Sequence, residues 1–368
     1  MQRNLAIIGA SYLQLPLINK AKELGYTTHV FAWSANDVGE EAADVFYPIS
    51  IVEKEEILAK CKEIGICGIC SIASDLAAIT VNYVAEQLGL CGNTMEATSI
   101  STNKHLMRNA FEKNGDPSPK SYLVDENTNI STLKLDYPII VKPTDRSGSR
   151  GIFKLETSDQ LKESIRLSIK ESFEKKALVE EYVEGQEYSV EYISFKGIHH
   201  FLAITQKYTT GAPHFIETAH LEPAELSIEM TEKVKTVVER ALNTLGIKNS
   251  ASHSELKIDD NGNIKIIEIG GRMGGDCIGS DLVHYSTGID FVKAVIDVAC
   301  GNEPDLSVKT KPQPVKSVFI FNEEDLMKYK QLKEENSDKL LKEIYIREDL
   351  LGKTTNSSDR AGCYIVKA

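Results

Sequence analysis

Ala251-Ser-His-Ser-Glu-Leu-Lys-Ile-Asp-Asp-Asn-Gly-Asn-Ile-Lys-Ile-Ile-Glu-Ile-Gly270 reads as two alternating apolar runs joined by Asn261-Gly262, a strong hairpin signal. A two-residue loop sets Asp260 opposite Asn263 and Glu255 opposite Glu268. A four-residue loop gives the same pairing, whereas an odd loop slips the register and sends the two glutamates to opposite faces. With an even loop, Leu256, Ile258, Ile267 and Ile269 share one face, and His253, Glu255, Lys257 and Glu268 share the other. Directly opposed carboxylates have Cβ atoms about 4.5–5.5 Å apart and repel, which sheets avoid. Two readings stay open for the hairpin by itself. One is a divalent cation between the carboxylates, magnesium favouring one or two carboxylates plus phosphates. The other is a solvated polar face on which Lys257 softens the repulsion.

At 368 residues the chain is too long for one core and predicts two or three domains. Lys+Arg 42 against Asp+Glu 54 gives a net charge of −12. That excess argues against nucleic-acid or anionic-membrane partners, yet leaves room for a local basic pocket. No apolar run approaches the roughly 18 residues of a membrane-spanning helix. The start, Met1-Gln-Arg-Asn4, passes straight into Leu5-Ala-Ile-Ile8 with no signal-peptide pattern. Seven cysteines spread along the chain fit a reducing compartment, so a cytoplasmic location is expected. Cys67-Gly-Ile-Cys70 is formally a redox or metal motif, but it lies in an apolar run and reads as part of a buried strand.

Residues 1 to about 98 alternate strands near 4–8, 27–32, 44–49 and 66–72 with helices near 12–24, 53–64 and 76–88. This alternation predicts a parallel sheet with helices on both faces. Gly9-Ala-Ser-Tyr-Leu-Gln-Leu-Pro16 is not a GxGxxG fingerprint and reads as a substrate-facing loop at the carboxyl end of that sheet. A second unit, about 99–175, opens with a helix over 101–115, capped by Ser101 or Thr102 and stopped by Gly115. Strands at 119–124, 137–143 and 152–155 and a helix over 158–173 complete it. A third unit, about 176–305, has strands at 177–183, 186–195, 198–206 and 214–221, a helix over 227–245, the hairpin, and a helix near 291–300. The remainder, 306–368, reads as a small α+β region with strands near 315–321, 344–346 and 363–366 and a charged helix near 323–336.

Three segments carry further chemistry. Ile140-Val-Lys142-Pro143 places a lysine at the end of a buried strand, followed by Thr144-Asp-Arg-Ser-Gly-Ser-Arg-Gly151. That loop offers N–H groups, hydroxyls and guanidinium groups to phosphate oxygens, without Walker spacing; a polar hairpin turn is the alternative. In Leu178-Val-Glu-Glu-Tyr-Val183, a strand edge can read an adenine and Glu187 beyond it can reach a ribose diol; an acidic loop is the alternative. Gly270-Gly-Arg272-Met-Gly-Gly275 is a flexible loop with one fixed cation, suited to a bidentate grip on a carboxylate or phosphate.

In this order, with Asn103-Lys104-His105 ahead of them, these motifs resemble the ATP-grasp superfamily over roughly residues 1–305. Within it the chain looks most like the carboxylate–amine ligases that join amino acids. Glutamates thirteen residues apart, Arg272 four after Glu268, and Glu217-Thr-Ala-His220-Leu-Glu-Pro-Ala224 carry that likeness. The N-terminal part is similar to the domain preceding the grasp domains there and in carbamoyl-phosphate synthase.

The resemblance implies an α/β fold. A Rossmann-like parallel-sheet domain over 1–98 precedes the two α+β subdomains of the ATP-grasp fold, 99–175 and 176–305, and a C-terminal α+β region over 306–368. It implies that Lys104 and Lys142 neutralise ATP phosphates and that Arg146, Ser147, Gly148, Ser149 and Gly151 cover them. Glu180, Glu181 and Val183 would bind adenine, Glu187 the ribose, and Glu255 and Glu268 magnesium or manganese. Arg272 would orient the acyl phosphate or the substrate carboxylate, and His220 would lie near the amine. Many members carry Glu-x-Asn-Pro-Arg at the second metal glutamate. This chain has Glu268-Ile-Gly-Gly-Arg272, so a water or a backbone carbonyl would replace the asparagine. The implied reaction joins a small carboxylate to an amine through an acyl phosphate, releasing ADP and phosphate, in a homodimer as among similar proteins. The rivals are a carboxylating or carbamoyl-phosphate-synthase-like enzyme and a nucleotide-binding protein without catalysis.

Overall fold

The computed structural model describes residues 3–146, 150–212 and 215–368. The first unit follows the strand–helix alternation: β1 (Asn4–Ile8), α1 (Leu15–Glu23), β2 (Thr27–Phe31), α2 (Val38–Ala42), β3 (Val45–Tyr47), α3 (Lys54–Ile64), β4 (Gly68–Cys70) and α4 (Asp75–Leu88). Its strands run parallel in the order β3-β2-β1-β4. Leu5 and Ile7 pack with Leu17 and Ile18 of α1, whereas Ala6 and Ile8 pack with Ile57 of α3 and Val84 of α4. The strands are apolar on both sides because both faces of a parallel sheet are covered. The order reverses between β1 and β4, and the crevice beyond their carboxyl ends is where open α/β sheets bind ligands.

The helix expected over 101–115 is two helices, α5 (Met95–Thr102) and α6 (Lys104–Asn114). The cap of α6 is Asn103, whose side chain accepts from the N–H groups of His105 and Leu106, and neither Ser101 nor Thr102 serves. An asparagine in extended backbone breaks the run and leaves Lys104 as the first residue of α6. Gly115, at φ 71°, ends it as expected.

A small antiparallel sheet follows, of β5 (Ser121–Val124), β6 (Ile139–Pro143), β7 (Phe153–Leu155) and, after α7 (Leu161–Glu171), β8 (Ala177–Glu181). Its order is β5-β8-β6-β7, backed by Leu161 and Ile165 of α7. The larger sheet opens with β9 (Gln186–Phe195), β10 (Ile198–Thr209) and β11 (Glu217–Glu222). Next come α8 (Ile228–Thr244), the hairpin β12 (Ser250–Ile258) and β13 (Ile264–Gly270), α9 (Val283–Thr287) and α10 (Phe291–Ala299). Val234, Val238, Ala241 and Leu242 of α8 and Met107 and Phe111 of α6 cover one face of this sheet. Phe291, Ala294 and Val298 of α10 sit in the core shared with β1 and α1, tying the two units together.

The last strands are β14 (Val315–Ile320), β15 (Leu340–Ile346) and β16 (Gly362–Lys367), with α11 (Glu323–Glu335) between the first two. They continue the larger sheet, whose order among the described residues is β13-β12-β9-β10-β11-β14-β16-β15.

The hairpin pairs Glu255 with Glu268 by a different route from the expected one. Ile258 pairs with Ile264, and the loop between Asp259 and Asn263 is three residues long, with Gly262 at φ 73°. That odd loop alone would oppose Glu255 to Ile267. A bulge between Leu256 and Glu255 restores the pairing, so Glu255 faces Glu268 and His253 faces Gly270. The extra residue is Ile267, which the even-loop reading placed on the apolar face; Ile264, Ile266 and Ile269 are buried there, and Ile267 lines the cavity. The carbonyl of Ile267 accepts from Arg108 at 2.6 Å.

Candidate active site

The two sheets and the carboxyl ends of β1 and β4 enclose a cavity of about 450 Å³. Lys104, Lys142, Arg146, Glu180, Glu181, Val183, Glu187, His220, Glu255, Glu268 and Arg272 all line it. Tyr12 and Leu13, in the loop after β1, line it too. Ser147, Gly148 and Ser149 lie outside the described residues. Gly151 docks on α7: its carbonyl accepts from Ser168 at 2.7 Å, and a Cβ there would stand 3.0 Å from the Glu171 side chain.

Both lysines expected to meet phosphate already hold a carboxylate. Lys104 donates to Glu268 at 2.8 Å and to the Arg146 carbonyl at 2.8 Å. Lys142 is 2.6 Å from Glu180, and Arg108, at 2.8 Å, holds the other oxygen of that carboxylate. Burial lowers the Lys142 ammonium from its ordinary value, Glu180 only partly opposing it. Burial would raise Glu180, but Arg108 and Lys142 bring it below the usual carboxylate range. The Glu180 carboxylate is therefore committed to these two cations, and the backbone beyond β8 borders the cavity beside it. There the Val183 carbonyl accepts from Lys257 at 3.1 Å. Lys257 is thus turned to the hinge, and the glutamate pair is eased instead by Lys104 and by Lys207.

Lys207, a buried lysine of β10, lies 2.6 Å from Glu255, 2.9 Å from Glu187 and 3.8 Å from Glu217. Burial opposes its charge, but the three carboxylates hold its ammonium well above the usual range. On its other side Glu255 is 3.4 Å from His253 Nε2, and His253 Nδ1 is bonded to the buried Glu191. Burial would neutralise His253, yet Glu191 raises it to about 9, so it stands as an imidazolium. Burial would also raise Glu255, but Lys207 and His253 hold it well below the carboxylate range. Glu191 further accepts from the Gly274 N–H at 3.0 Å, tying the glycine-rich loop to the hairpin.

Among the described residues no group of three His, Cys, Asp or Glu is arranged to hold a metal by itself. The donor set fits magnesium nonetheless. Two facing carboxylates, Glu255 ionised, open on a cavity that would supply phosphate oxygens for the remaining positions.

Arg272 donates from Nε and Nη2 to the two oxygens of Asp75, at 2.8 and 3.0 Å. Asp75 begins α4, so the first unit positions the arginine of the third. A Cβ on Gly270 would stand 2.6 Å from Asp75 Oδ1 and 3.2 Å from Arg272 Nε. The space beside the missing asparagine therefore belongs to this ion pair.

At the other end of the cavity lie His220, Asp276 and Arg360. His220 is fully buried, and neither ring nitrogen has a hydrogen-bond partner among the described residues. Burial keeps its imidazole below the ordinary value, hence neutral. Nε2 is 3.9 Å from Asp276 Oδ2, beyond hydrogen-bonding reach. Asp276 receives a two-pronged grip from Arg360, at 3.0 and 2.5 Å. Burial would raise the Asp276 carboxyl, but Arg360 overrides it and keeps it charged. Arg360 Cζ lies 3.8 Å from the Phe319 ring centroid, and Phe319 stands edge-on to His220. Asp276 and Cys277 are consecutive non-glycine residues with φ 50° and 65°. Such backbone costs roughly 1–3 kcal/mol per residue and persists where the surroundings enforce it.

Lys207, Asp75, Asp276 and Arg360 were not singled out from the sequence. Lys207 carried one signal, a charge at an inward position of an alternating strand. The others come together only through tertiary folding and had none.

Residues 135–281 match the family model of the ATP-grasp domain. The chain is 29% identical over 307 residues to alanine–anticapsin ligase of Bacillus subtilis (strain 168), covering 73% of this chain and 64% of that enzyme's length. It is 27% identical over 264 residues to D-alanine–D-alanine ligase of Flavobacterium johnsoniae, covering 66% of this chain and 78% of that one. The L-amino acid ligase structure from Bacillus licheniformis superposes with a TM-score of 0.82 at 23% identity, over 99% of this chain and 93% of that one. Residues 135–281 are thus similar to the ATP-grasp domain, and the chain as a whole has the fold seen in this ligase structure.

Proposed function

We propose that this protein is an ATP-dependent carboxylate–amine ligase, forming an amide or peptide bond through an acyl phosphate and releasing ADP and phosphate. The observation that carries the reading is the convergence of Lys104, Lys142, Arg272 and the facing pair Glu255–Glu268 on one cavity. A binding protein without turnover has no need of opposed carboxylates beside a phosphate-sized cluster of cations.

The β8–β9 hinge takes the adenine, and Glu187 the ribose. Lys142 and Lys104 take phosphate oxygens, exchanging their carboxylate partners for them. Glu255 and Glu268 hold magnesium, which when bound neutralises charge on the phosphates and screens the two carboxylates from each other. Arg272, kept in place by Asp75, orients the substrate carboxylate for attack on the terminal phosphorus. Positioning and charge neutralisation supply most of the catalysis in such transfers. The neutral His220 takes one proton from the incoming ammonium and frees its lone pair. The nitrogen attacks the acyl carbon, the C–O bond to phosphate breaks, and the phosphate leaves with the electron pair and the second proton.

The test mixes the protein with ATP, magnesium and pools of amino acids, and follows ADP, AMP and phosphate. ADP release that needs both a carboxylate and an amine is the expected result. AMP release would rule out the acyl phosphate, and ATP binding without turnover in any pool would favour a regulator.

A further inference from the structure

We infer that Asp276, held by Arg360 of the C-terminal segment, binds the amine substrate as its ammonium form between its own carboxylate and His220. The assignment rests on the ligase reading, and deepens it by naming the class of the second substrate and the residues that select it. Three observations converge on it. His220 is fully buried with both ring nitrogens unpartnered among the described residues, and it lines the cavity. An unbonded buried imidazole is costly unless a ligand satisfies it. Its Nε2 is 3.9 Å from Asp276 Oδ2, a gap that a nitrogen bonded to both atoms can bridge.

Asp276 is also built to stay where it is. Arg360 is among the largest fully buried side chains of the protein and grips both Asp276 oxygens. The arginine is fixed in turn by the Ser357 carbonyl at 2.7 Å and by the face of Phe319. The left-handed backbone at Asp276 and Cys277 is the strain accepted to aim this carboxylate into the cavity. Glu217 approaches both Arg360 and Lys207 at 3.8 Å and accepts from Ser357 at 2.8 Å, so with Asp276, Glu187 and Glu255 four carboxylates face these two cations. A site of that charge favours a primary ammonium over a neutral alcohol or a second carboxylate.

The experiment compares wild type with Asp276→Asn and with the double variant Asp276→Asn/Arg360→Gln, which leaves no buried charge unpaired. Each is given ATP, magnesium, the best carboxylate from the amino-acid pool, and either the best amine or hydroxylamine, which traps the acyl phosphate as a hydroxamate. Folding is checked by thermal unfolding. Expected in both variants is a rise of about tenfold or more in KM for the amine, the scale of losing a charged hydrogen bond. The ratio of amide to hydroxamate formed falls by the same factor. An unchanged amine KM in folded variants, or an equal loss of amide and hydroxamate, overturns the assignment alone. A wild-type chain that forms no hydroxamate with any carboxylate overturns the ligase reading and this proposal with it.

Discussion

Glu268 pairs with Lys104 and faces Glu255 across the bulged hairpin, partly open to the cavity. Its charge matters to what enters the cleft more than to the packing behind it. Glu268→Gln should lower carboxylate-dependent ADP formation by about 100-fold or more, the scale of removing one electrostatic contact to a developing charge. Its thermal midpoint should stay within about 3 °C of wild type; a large drop would make the pair structural. Glu222 is a different kind of residue. Fully buried, bonded to Thr205 and Ser286, it has a carboxyl raised by burial from 4.5 to about 7. A raised acid stabilises the fold below its unfolded value and loses that contribution as pH climbs through the folded value. Between pH 4.5 and 7 the loss amounts to roughly 3 kcal/mol. Glu222→Gln should therefore flatten the decline in thermal midpoint over that range. An unchanged slope would mean that the carboxyl does not titrate there.

Arg108 joins three elements. From α6 it reaches Glu180 on β8 and the bulged carbonyl of Ile267 on β13. The end of β8 and the glutamate hairpin thus share one buried guanidinium. Arg108→Met should cost about 3 kcal/mol by leaving Glu180 with Lys142 alone, a fall of roughly 4 °C in midpoint for a chain of 368 residues. ATP affinity should weaken as well; a variant as stable as wild type would show that Lys142 suffices. The strands and the three longer helices of the first unit were legible because each apolar run buries against a covered sheet face, a periodicity visible within a few residues, whereas the five-residue α2 was missed. The pairing of Glu255 with Glu268 was legible too, but its mechanism was not. A three-residue loop plus a bulge preserves the same parity as a two-residue loop, and only Ile267 tells them apart. The cap at Asn103 was missed for a related reason: Ser101, Thr102 and Asn103 all suit a cap, and tertiary packing chose the third.

The C-terminal strands carry the larger sheet onward, β14 pairing with β11 along the backbone of His220. Residues 306–368 therefore cover a long edge and deliver Arg360 to the cavity. A chain truncated at residue 305 should expose β11 as an open edge strand and aggregate, as size-exclusion chromatography would show. Soluble, monodisperse truncated protein would contradict this account. Such long-range partnerships, Arg360 with Asp276 and Asp75 with Arg272, had no trace in local sequence because neither residue alters its own neighbourhood.

The pairing of most cleft cations with carboxylates has a consequence for how ligands arrive. Lys104, Lys142, Lys207, Arg272 and Arg360 are each neutralised in place, and among the described residues the eight acidic side chains lining the cleft balance its eight Lys and Arg, Arg146, Arg150 and Lys257 included, so the cleft sends little attraction into solvent. A polyanion approaching a molecule of net charge −12 meets repulsion first and attraction only on contact. Added salt, whose screening length is about 8–10 Å near physiological strength, weakens that repulsion before it reaches the buried pairs. Nucleotide capture should then hold steady or quicken as ionic strength rises, the reverse of a site that draws its ligand in by an open positive field.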